Sequence, residues 1–417
     1  MSDTRPFLVA GEWRTGAETF DVTSPFDGSV VARVGSPSDD DVEDALRAAD
    51  DTFDETRRLP VHARAEALAH ISRRIAERAE EFADAIAREG GKPLKWAKVE
   101  ATRAVSTFRW AAEELRTHRD ELIRIDTDPA LGSRVGLVRR FPYGPVLGIA
   151  PFNFPVNLVA HKLAPALAVG APISVKPATK TPIGALLLAE LFGETDLPAG
   201  MLAVLPLQGS RTEPLVEDER IKKVSFTGSS PVGWKLKSLD PKKRFTLELG
   251  GNAGAIVHSD ADLDHAAARI AFGGYYQAGQ SCIAVQRVLV HAPVYDDFLT
   301  RFVKQVESLK VGDPLDPETD VGPVIDGGAL ERIDEWVREA LDEGAEALVG
   351  GSRDDPFFEP TILGNVKREM KVCREEIFGP VTSVLRYETF EEALEQANDS
   401  PYGLQAGVFT SDIERAF

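Results

Sequence analysis

The sequence predicts an α/β fold in two units, and three observations carry that expectation. Short apolar runs alternate with helical stretches from 146 to 258, and a second alternation of the same kind fills 262 to 410. At 417 residues the chain is also long for one domain. Strands that follow one another through helices lie parallel, because a parallel neighbour is reached only by a long crossover.

Residues 1 to 37 carry "FLVAGEW", "TFDVTSP" and "SVVARVG", short strands divided by turns. Over 61 to 89 the apolar positions Leu68, Ile71, Ile75, Phe82 and Ile86 recur at helical spacing on one face, and Gly90, Gly91 and Pro93 supply the stop. A further helix is expected over 96 to 118. Residues 124 to 141, "RIDTDPALGSRVGLVRRF", set strand-like segments on either side of a Pro/Gly turn. Standing between the helices and the next region, this hairpin reads as an arm; an ordinary edge hairpin is the alternative. The strands of the first alternation are "VLGIA", "ISVK", "LAVLP", "KVSF", "FTLEL" and "GAIVH". The second holds a helix, "QRVLVH", helices at 294 to 309 and 329 to 343, then "VTSVLRY" and "AGVFT".

Charge narrows the function. With 67 Asp and Glu against 48 Lys and Arg, the net charge is −19, which disfavours binding to phosphate backbones and to anionic membrane surfaces. The acids are spread (Asp39 to Asp41, Asp354, Asp355, Glu391, Glu392), so they read as general surface charge, whether for a salt-tolerant or a merely soluble protein. Two cysteines, Cys282 and Cys373, make no disulfide framework and fit a reducing compartment. The first residues lack the apolar run of a signal peptide. The uncharged stretch Tyr143 to His161 is broken by Pro145, Pro151 and Pro155 and holds Asn153 and Asn157, so it is a poor membrane span. The expected location is the cytoplasm.

Ligands of an open parallel sheet bind beyond the carboxyl ends of its strands. Asn153 follows "VLGIAPF", Lys176 ends "ISVK", Gly209 follows "LAVLPLQ", "FTGSSPVG" follows "KVSF", and Glu248 lies at the end of "FTLEL". In "GSSPVG" a glycine at a strand-to-helix turn lets backbone approach a phosphate, although this is not the usual Gly-x-Gly-x-x-Gly fingerprint. Glu248 of "ELGG" is either paired structurally or kept for proton transfer; desolvation there would raise its proton affinity toward that of a general base. Cys282 lies in "GQSCIAV", a loop-like setting after a helical stretch. A free cysteine is often a buried small hydrophobe; this one has the surroundings of a nucleophile, whose thiol, with an ordinary pKa near ~8.5, needs activation. Cys373 in "MKVCREE" reads as structural.

In order and spacing, "APFNFPVN", "VKPATKTP", "FTGSSPVG", "LELGG", "GQSCIAVQRVLVH", "VGPVID" and "EEIFGPV" resemble the aldehyde dehydrogenase superfamily over nearly the whole chain. The resemblance implies a Rossmann-like cofactor domain (1–123 and 142–255), a second α/β catalytic domain (256–417) and a β-hairpin oligomerisation arm (124–141). It implies oxidation of an aldehyde to the acid with NAD or NADP. Cys282 would attack the aldehyde to form a thiohemiacetal and then a thioester. Asn153 and the Cys282 backbone N–H would form the oxyanion hole, Glu248 would activate the hydrolytic water, and Lys162 would serve a proton relay. Lys176 would hold the adenosine ribose, Ser229 the pyrophosphate, and Glu376 and Phe378 the nicotinamide ribose and ring. Pro151, Phe152, Thr179, Lys180, Gly209, Gly228 and Leu249 complete the implied cofactor set. His161, Leu158, Ser281 and Ile283 make the substrate set, and no metal is implied.

Three departures refine this. Many NAD-preferring members carry glutamate three residues after the lysine, where this chain has Thr179. Thr179 removes the repulsion of a 2′-phosphate and Lys180 adds a positive charge, so NADP is expected beside NAD. His161 stands where many members have an aromatic residue, and "PFNFPVNLVAHK" resembles the subgroup acting on lactaldehyde- or glyceraldehyde-like substrates. Family members continue beyond the point matching Phe417 with a tunnel loop, a last catalytic segment and a tail strand. The C-terminal part of the catalytic domain is thus expected to lie outside this sequence, leaving the hairpin edge open. A homodimer or homotetramer is implied where that segment is present. A CoA-acylating relative is the rival reading, against which Glu248 speaks, and a truncated, silent cofactor-binding protein is another, against which Cys282, Glu248 and Asn153 together speak.

Overall fold

The computed structural model describes residues 4–417. It opens with β1 (Phe7–Val9), β2 (Glu12–Arg14), β3 (Glu18–Thr23) and β4 (Val30–Ser36); β3 and β4 pair with each other, while β1 and β2 join the larger sheet. Four helices follow: α1 (Asp39–Thr56), α2 (Val61–Glu77), α3 (Ala79–Gly90) and α4 (Leu94–Thr117). The acidic run Asp39 to Asp41 is the first turn of α1 rather than diffuse surface charge. Ser38 caps it: its hydroxyl accepts from the Asp41 N–H at 3.2 Å, and the Asp41 carboxylate accepts from the Ser38 N–H at 2.9 Å. Negative charge there also complements the helix dipole. The periodic stretch over 61 to 89 is two helices, because Arg78 at φ −104° and ψ 20° breaks it. Both pieces still bury the expected face, with Leu68, Ile71, Ile75, Phe82 and Ile86 all at 0% exposure.

The hairpin consists of β5 (Glu121–Arg124) and β6 (Val135–Val138), antiparallel, with Glu121 opposite Val138. It begins before the expected 124, and its apolar side chains stand in solvent, Leu122 at 73% and Leu137 at 67% exposure.

The larger sheet is completed by β7 (Val146–Ile149), β8 (Ile173–Lys176), β9 (Leu202–Val204), β10 (Lys223–Thr227) and β11 (Arg244–Glu248). Its crossovers are α5 (Asn157–Val169), α6 (Ile183–Gly193), α7 (Glu213–Glu217) and α8 (Ser230–Leu239). The strand order is β11-β10-β7-β8-β9-β1-β2. The strands β7 to β11 pair in parallel, and β1, antiparallel to β9, carries β2 at the edge. Helices α5 and α6 are apolar almost all round, as helices buried between a sheet and other helices must be.

The second sheet takes β12 (Ala253–Val257), β13 (Val285–His291), β14 (Glu346–Val349), β17 (Thr361–Gly364), β18 (Val381–Tyr387) and β19 (Ala406–Phe409), in the order β14-β17-β18-β13-β12-β19. A small hairpin, β15 (Arg353–Asp354) with β16 (Phe357–Phe358), stands apart. The helices are α9 (Leu263–Tyr275), α10 (Tyr295–Glu307), α11 (Gly327–Asp342), α12 (Lys371–Arg374), α13 (Phe390–Asn398) and α14 (Ile413–Ala416). Strand β12 pairs with β13 and β19, so the boundary expected between 255 and 256 falls inside it. No helix among the described residues is long and apolar enough to cross a membrane.

Phe108 of α4 is fully buried in the core of the larger sheet. Phe108→Ala is expected to destabilise the protein by about 3–5 kcal/mol, read as a lowered midpoint of urea unfolding.

Candidate active site

Register brings the first group of residues together. Thr227 at the end of β10 lies opposite Glu248 at the end of β11, and Phe226 opposite Ile149 at the end of β7. The Gly228 N–H donates to the Glu248 carbonyl at 3.1 Å. Lys162 reaches in from α5, its ammonium donating to the Thr227 hydroxyl at 2.6 Å. Asn153 sits between β7 and α5.

The second unit delivers Cys282. After α9 the chain reverses through Gln277, Ala278 and Gly279, all left-handed, at φ 55°, 53° and 66°. The two non-glycine residues are strained there by roughly 1–2 kcal/mol each. Buried glutamines hold the turn. The Gln277 amide donates to the Asn153 carbonyl, Gln280 Nε2 to the carbonyls of Gln277 and Pro323, and the Ile325 N–H to Gln280 Oε1. Asn153 Nδ2 donates in turn to the Gln280 carbonyl at 3.1 Å. Asn153 and the Cys282 loop are thus tied to each other.

"ELGG" is the meeting point of the two units. A Cβ at Gly251 would lie 2.0 Å from the Cys282 carbonyl oxygen, and one at Gly250 would lie 2.2 Å from Glu376 Oε2. The Gly251 N–H donates to Glu376 Oε1 at 2.9 Å. Only glycine permits this approach.

Two clefts adjoin the cysteine loop. One, of about 410 Å³, is lined by Asn153, Gly228, Ser229, Cys282, Glu376 and Phe378 among others. The other, of about 420 Å³, is lined by Phe154, Tyr276 and Ile283, the chain neighbours of Asn153 and of the cysteine loop. Tyr276 donates to the Ser281 hydroxyl at 2.8 Å.

Electrostatics sort the titratable groups. Burial, then the carboxylates of Glu376 and Glu248, push the Cys282 thiol above its ordinary value. Burial lowers Lys162 to about 8 against the opposing pull of Glu248, and lowers Lys176 to about 8. Burial raises Glu376 despite its bond from Gly251. His161 is exposed at its outer side; partial desolvation, then the positive charges of Arg103 and Lys162, hold its imidazole low. Cys373 is buried and pushed up to about 11, as a structural thiol should be.

The first cleft fits a dinucleotide on several counts. Ser229 is the N-cap of α8 and makes no side-chain cap bond, so the first N–H groups of that helix remain available to an anion. The buried Lys176 ammonium makes no side-chain hydrogen bond among the described residues. Phe152 and Phe378 stand edge to face at 5.9 Å on one wall.

Of the expected residues, Pro151, Phe152, Asn153, Gly228, Ser229, Leu249, Cys282, Glu376 and Phe378 line this cleft. Others differ from expectation. Glu248 is exposed at the strand end, so the fold does not supply the desolvation expected for it. Lys180 is bound to the carboxylate of Asp326, the N-cap of α11. Thr179 donates to the Leu207 carbonyl at 3.2 Å. Gly209 is exposed at the start of a short 3₁₀ turn. Of the substrate set, Ile283 lines the second cleft, Ser281 is buried beneath Tyr276, and Leu158 and His161 lie on the first turns of α5. Arg332 and Trp336 of α11 also line the first cleft, and Arg332 Nε is buried without a partner. They lie on an amphipathic helix whose sequence reads as surface, so no pattern marked them. Also unforeseen is the buried pair of Lys92 and Glu100. Glu100 accepts the backbone N–H groups of Val156 and Asn157 at 3.0 Å each and so fixes the start of α5.

Comparison with known proteins places this geometry. The sequence model described as the aldehyde dehydrogenase family matches residues 13–417. The 3-sulfolactaldehyde dehydrogenase of Priestia aryabhattai is 42% identical over 409 residues, covering 98% of this chain and 85% of that one. The crystal structure of aldehyde dehydrogenase 21 from Physcomitrella patens, in complex with the reaction product succinate, superposes with a TM-score of 0.98 at 40% identity, covering 100% of this chain and 87% of that one. The NADP-dependent glyceraldehyde-3-phosphate dehydrogenase of Bacillus halodurans, complexed with NADP, gives 0.96 at 34% identity, covering 100% and 88%.

The raised thiol sets a pH dependence. In cofactor-free protein, alkylation of Cys282 by iodoacetamide is expected to be slow at pH 7 and to rise about tenfold per pH unit through the alkaline range. Mass spectrometry should find Cys282 modified before Cys373. Glu376→Gln, which removes a charge that raises the thiol, should speed alkylation at pH 8; an unchanged rate would contradict the assignment of that influence.

Proposed function

Because the chain belongs to the aldehyde dehydrogenase family, we propose that Cys282 is its nucleophile and a small polar aldehyde its substrate. The enzyme is an NAD(P)-dependent aldehyde dehydrogenase that oxidises an aldehyde to the carboxylic acid. The observation that carries the assignment is that Cys282 and Asn153 line one cleft together, tied through the Gln280 carbonyl, with Glu248 close enough to act on the thiol electrostatically.

The Cys282 thiol loses its proton to solvent, its sulfur attacks the aldehyde carbon, and the carbonyl oxygen gains the displaced electron pair. Asn153 Nδ2 spends one N–H on Gln280, which leaves its second for that oxygen, beside the Cys282 backbone N–H. The bound nicotinamide cofactor supplies the acceptor for the hydride. Phe152, Phe378 and Glu376 would orient it, α8 and Ser229 would meet its pyrophosphate, and Lys176 would meet its adenosine ribose. The carbon left on sulfur is a thioester. Glu248 then takes a proton from the attacking water, and its exposure suits a base that must admit water and return the proton to solvent. Lys162, lowered by burial to about 8 and bonded to Thr227, stands beside Glu248 as the proton relay. The Glu248 carboxylate supports release to water rather than to CoA.

Thr179 puts no carboxylate where a 2′-phosphate would sit, which supports NADP beside NAD. A phosphate contact from Lys180 would require its ion pair with Asp326 to open. The likeness to an enzyme of 3-sulfolactaldehyde supports a short hydroxylated aldehyde. We read the larger sheet as the cofactor domain, the second sheet as the catalytic domain and the hairpin as an oligomerisation arm, whose exposed Leu122, Leu137 and Phe141 support a homodimer or homotetramer. Two free cysteines support a cytoplasmic location.

Absorbance at 340 nm with short aldehydes and NADP or NAD tests this. Cys282→Ala should abolish turnover, and Asn153→Ala should lower kcat about 100- to 1,000-fold. Glu248→Gln should give a burst of reduced cofactor followed by slow turnover, and equal activity in the Cys282→Ala variant would refute the mechanism. Leu122→Asp with Leu137→Asp should shift the assembly to a smaller species in sedimentation.

A further inference from the structure

Ser281 stands directly before Cys282, and its backbone and side chain are both engaged. It opens a four-residue turn: its carbonyl accepts the Ala284 N–H at 2.9 Å, and its own N–H donates to the Gly279 carbonyl at 2.9 Å. Cys282 and Ile283 are the two central residues of that turn. No backbone carbonyl takes the Cys282 N–H among the described residues, which leaves it for the oxygen of a bound aldehyde. Ser281 is 3% exposed, and its hydroxyl accepts from the Tyr276 hydroxyl at 2.8 Å. That bond is the only side-chain tie on the turn among the described residues.

Tyr276 closes α9, and its ring is braced by other rings. It stacks on Phe272 at 5.2 Å, and Phe272 meets Trp96 of α4 edge-on at 5.2 Å. It also lies tilted against Phe154 at 6.5 Å, the residue after Asn153. A tyrosine side chain turns about two bonds only, so a ring held on two sides leaves its hydroxyl little freedom. A ring without the hydroxyl would wall the second cleft as well; the hydroxyl serves the turn. In so buried a place each oxygen would be costly to leave without its partner, which keeps the bond made.

We propose that Tyr276 is a positioning residue for the nucleophile: its hydroxyl pins Ser281, and through the turn it fixes the direction of the Cys282 side chain and of the Cys282 backbone N–H. This rests on the reading of Cys282 as the nucleophile. In this role Tyr276 transfers no proton. It acts because the sulfur and the N–H leave the same residue, so a small rotation of the turn carries one toward the aldehyde carbon and the other away from its oxygen.

Tyr276→Phe keeps the ring and removes the hydroxyl. With a short aldehyde and NADP or NAD, its kcat should fall roughly 3- to 10-fold with KM nearly unchanged. Ser281→Ala removes the bond from the other side and should cost as much. The double variant should lose no more than either single, because both remove one bond, and Ser281→Thr should restore part of the kcat lost in Ser281→Ala. In cofactor-free protein the loosened turn should expose the thiol, so iodoacetamide at pH 8 should alkylate Cys282 roughly 2- to 5-fold faster in Tyr276→Phe. A kcat that falls while alkylation rises marks a mispositioned thiol, whereas a collapsed site would lower both. A Tyr276→Phe kcat within about twofold of the wild type, single effects that multiply in the double variant, or alkylation that is unchanged or slower would each overturn the proposal. If the wild type oxidises no aldehyde, the nucleophile reading fails on its own, and alkylation decides the pinning. Faster alkylation in both single variants, and no faster in the double, upholds it; unchanged or slower rates overturn it. An unaltered thermal unfolding midpoint in Tyr276→Phe and Ser281→Ala separates these outcomes from misfolding.

Discussion

The contact between Gly251 and the Cys282 carbonyl is the constraint on which the site depends. Two sheets with separate cores carry different parts of the chemistry, and they must meet to atomic tolerance. A side chain at Gly250 or Gly251 would collide with Glu376 or with the cysteine loop. From this seam the rest follows. Glu376 caps the Gly251 N–H, the cysteine loop folds back through left-handed residues, and buried glutamines absorb the strain by satisfying backbone groups that no sheet or helix reaches. The cysteine loop is therefore held by polar bonds, and these fix it beside both clefts.

The same arrangement explains why the groups titrate as they do. The Cys282 thiol is raised by burial and by Glu376 and Glu248, which keeps it in its less reactive, protonated form. Glu248 lies open to solvent while Lys162 is buried behind it. A carboxylate at the surface and an amine in the depth thus stand at the ends of neighbouring elements, joined through Thr227.

Much of this was legible in the sequence because it depends on local pattern. The strands of both sheets announce themselves by short apolar runs, and Asn153, Lys176 and Glu248 could be found because strand ends are where open sheets place their ligands. Cys282 stood out because a cysteine among Gly279, Gln280 and Ser281 does not belong to a core. What was hidden depends on partners distant in the chain. Nothing local says that β12 leaves the first sheet, that Arg78 breaks a continuous helical pattern, or that Glu100 fixes residues 156 and 157. Glu248 ends an apolar strand, which suggests desolvation, yet β11 is the edge strand and its end is open. Arg332 and Trp336 lie on a helix whose pattern reads as surface, and only the fold turns that face toward the cofactor cleft.

The buried pair of Lys92 and Glu100 has a further consequence. Glu100 sits on the same helical face as Val99 and Arg103, yet its carboxylate serves the Val156 and Asn157 backbone, three residues along from Asn153. One position of that face is thus committed to holding α5, while Val99 and Arg103 line the cleft. Substitution at 99 or 103 leaves the start of α5 in place, whereas change at 100 strips two buried N–H groups of their acceptor. Over evolutionary time such a helix is a partitioned surface: the cleft-facing positions are free to drift, and the backbone beside Asn153 stays pinned at a single carboxylate.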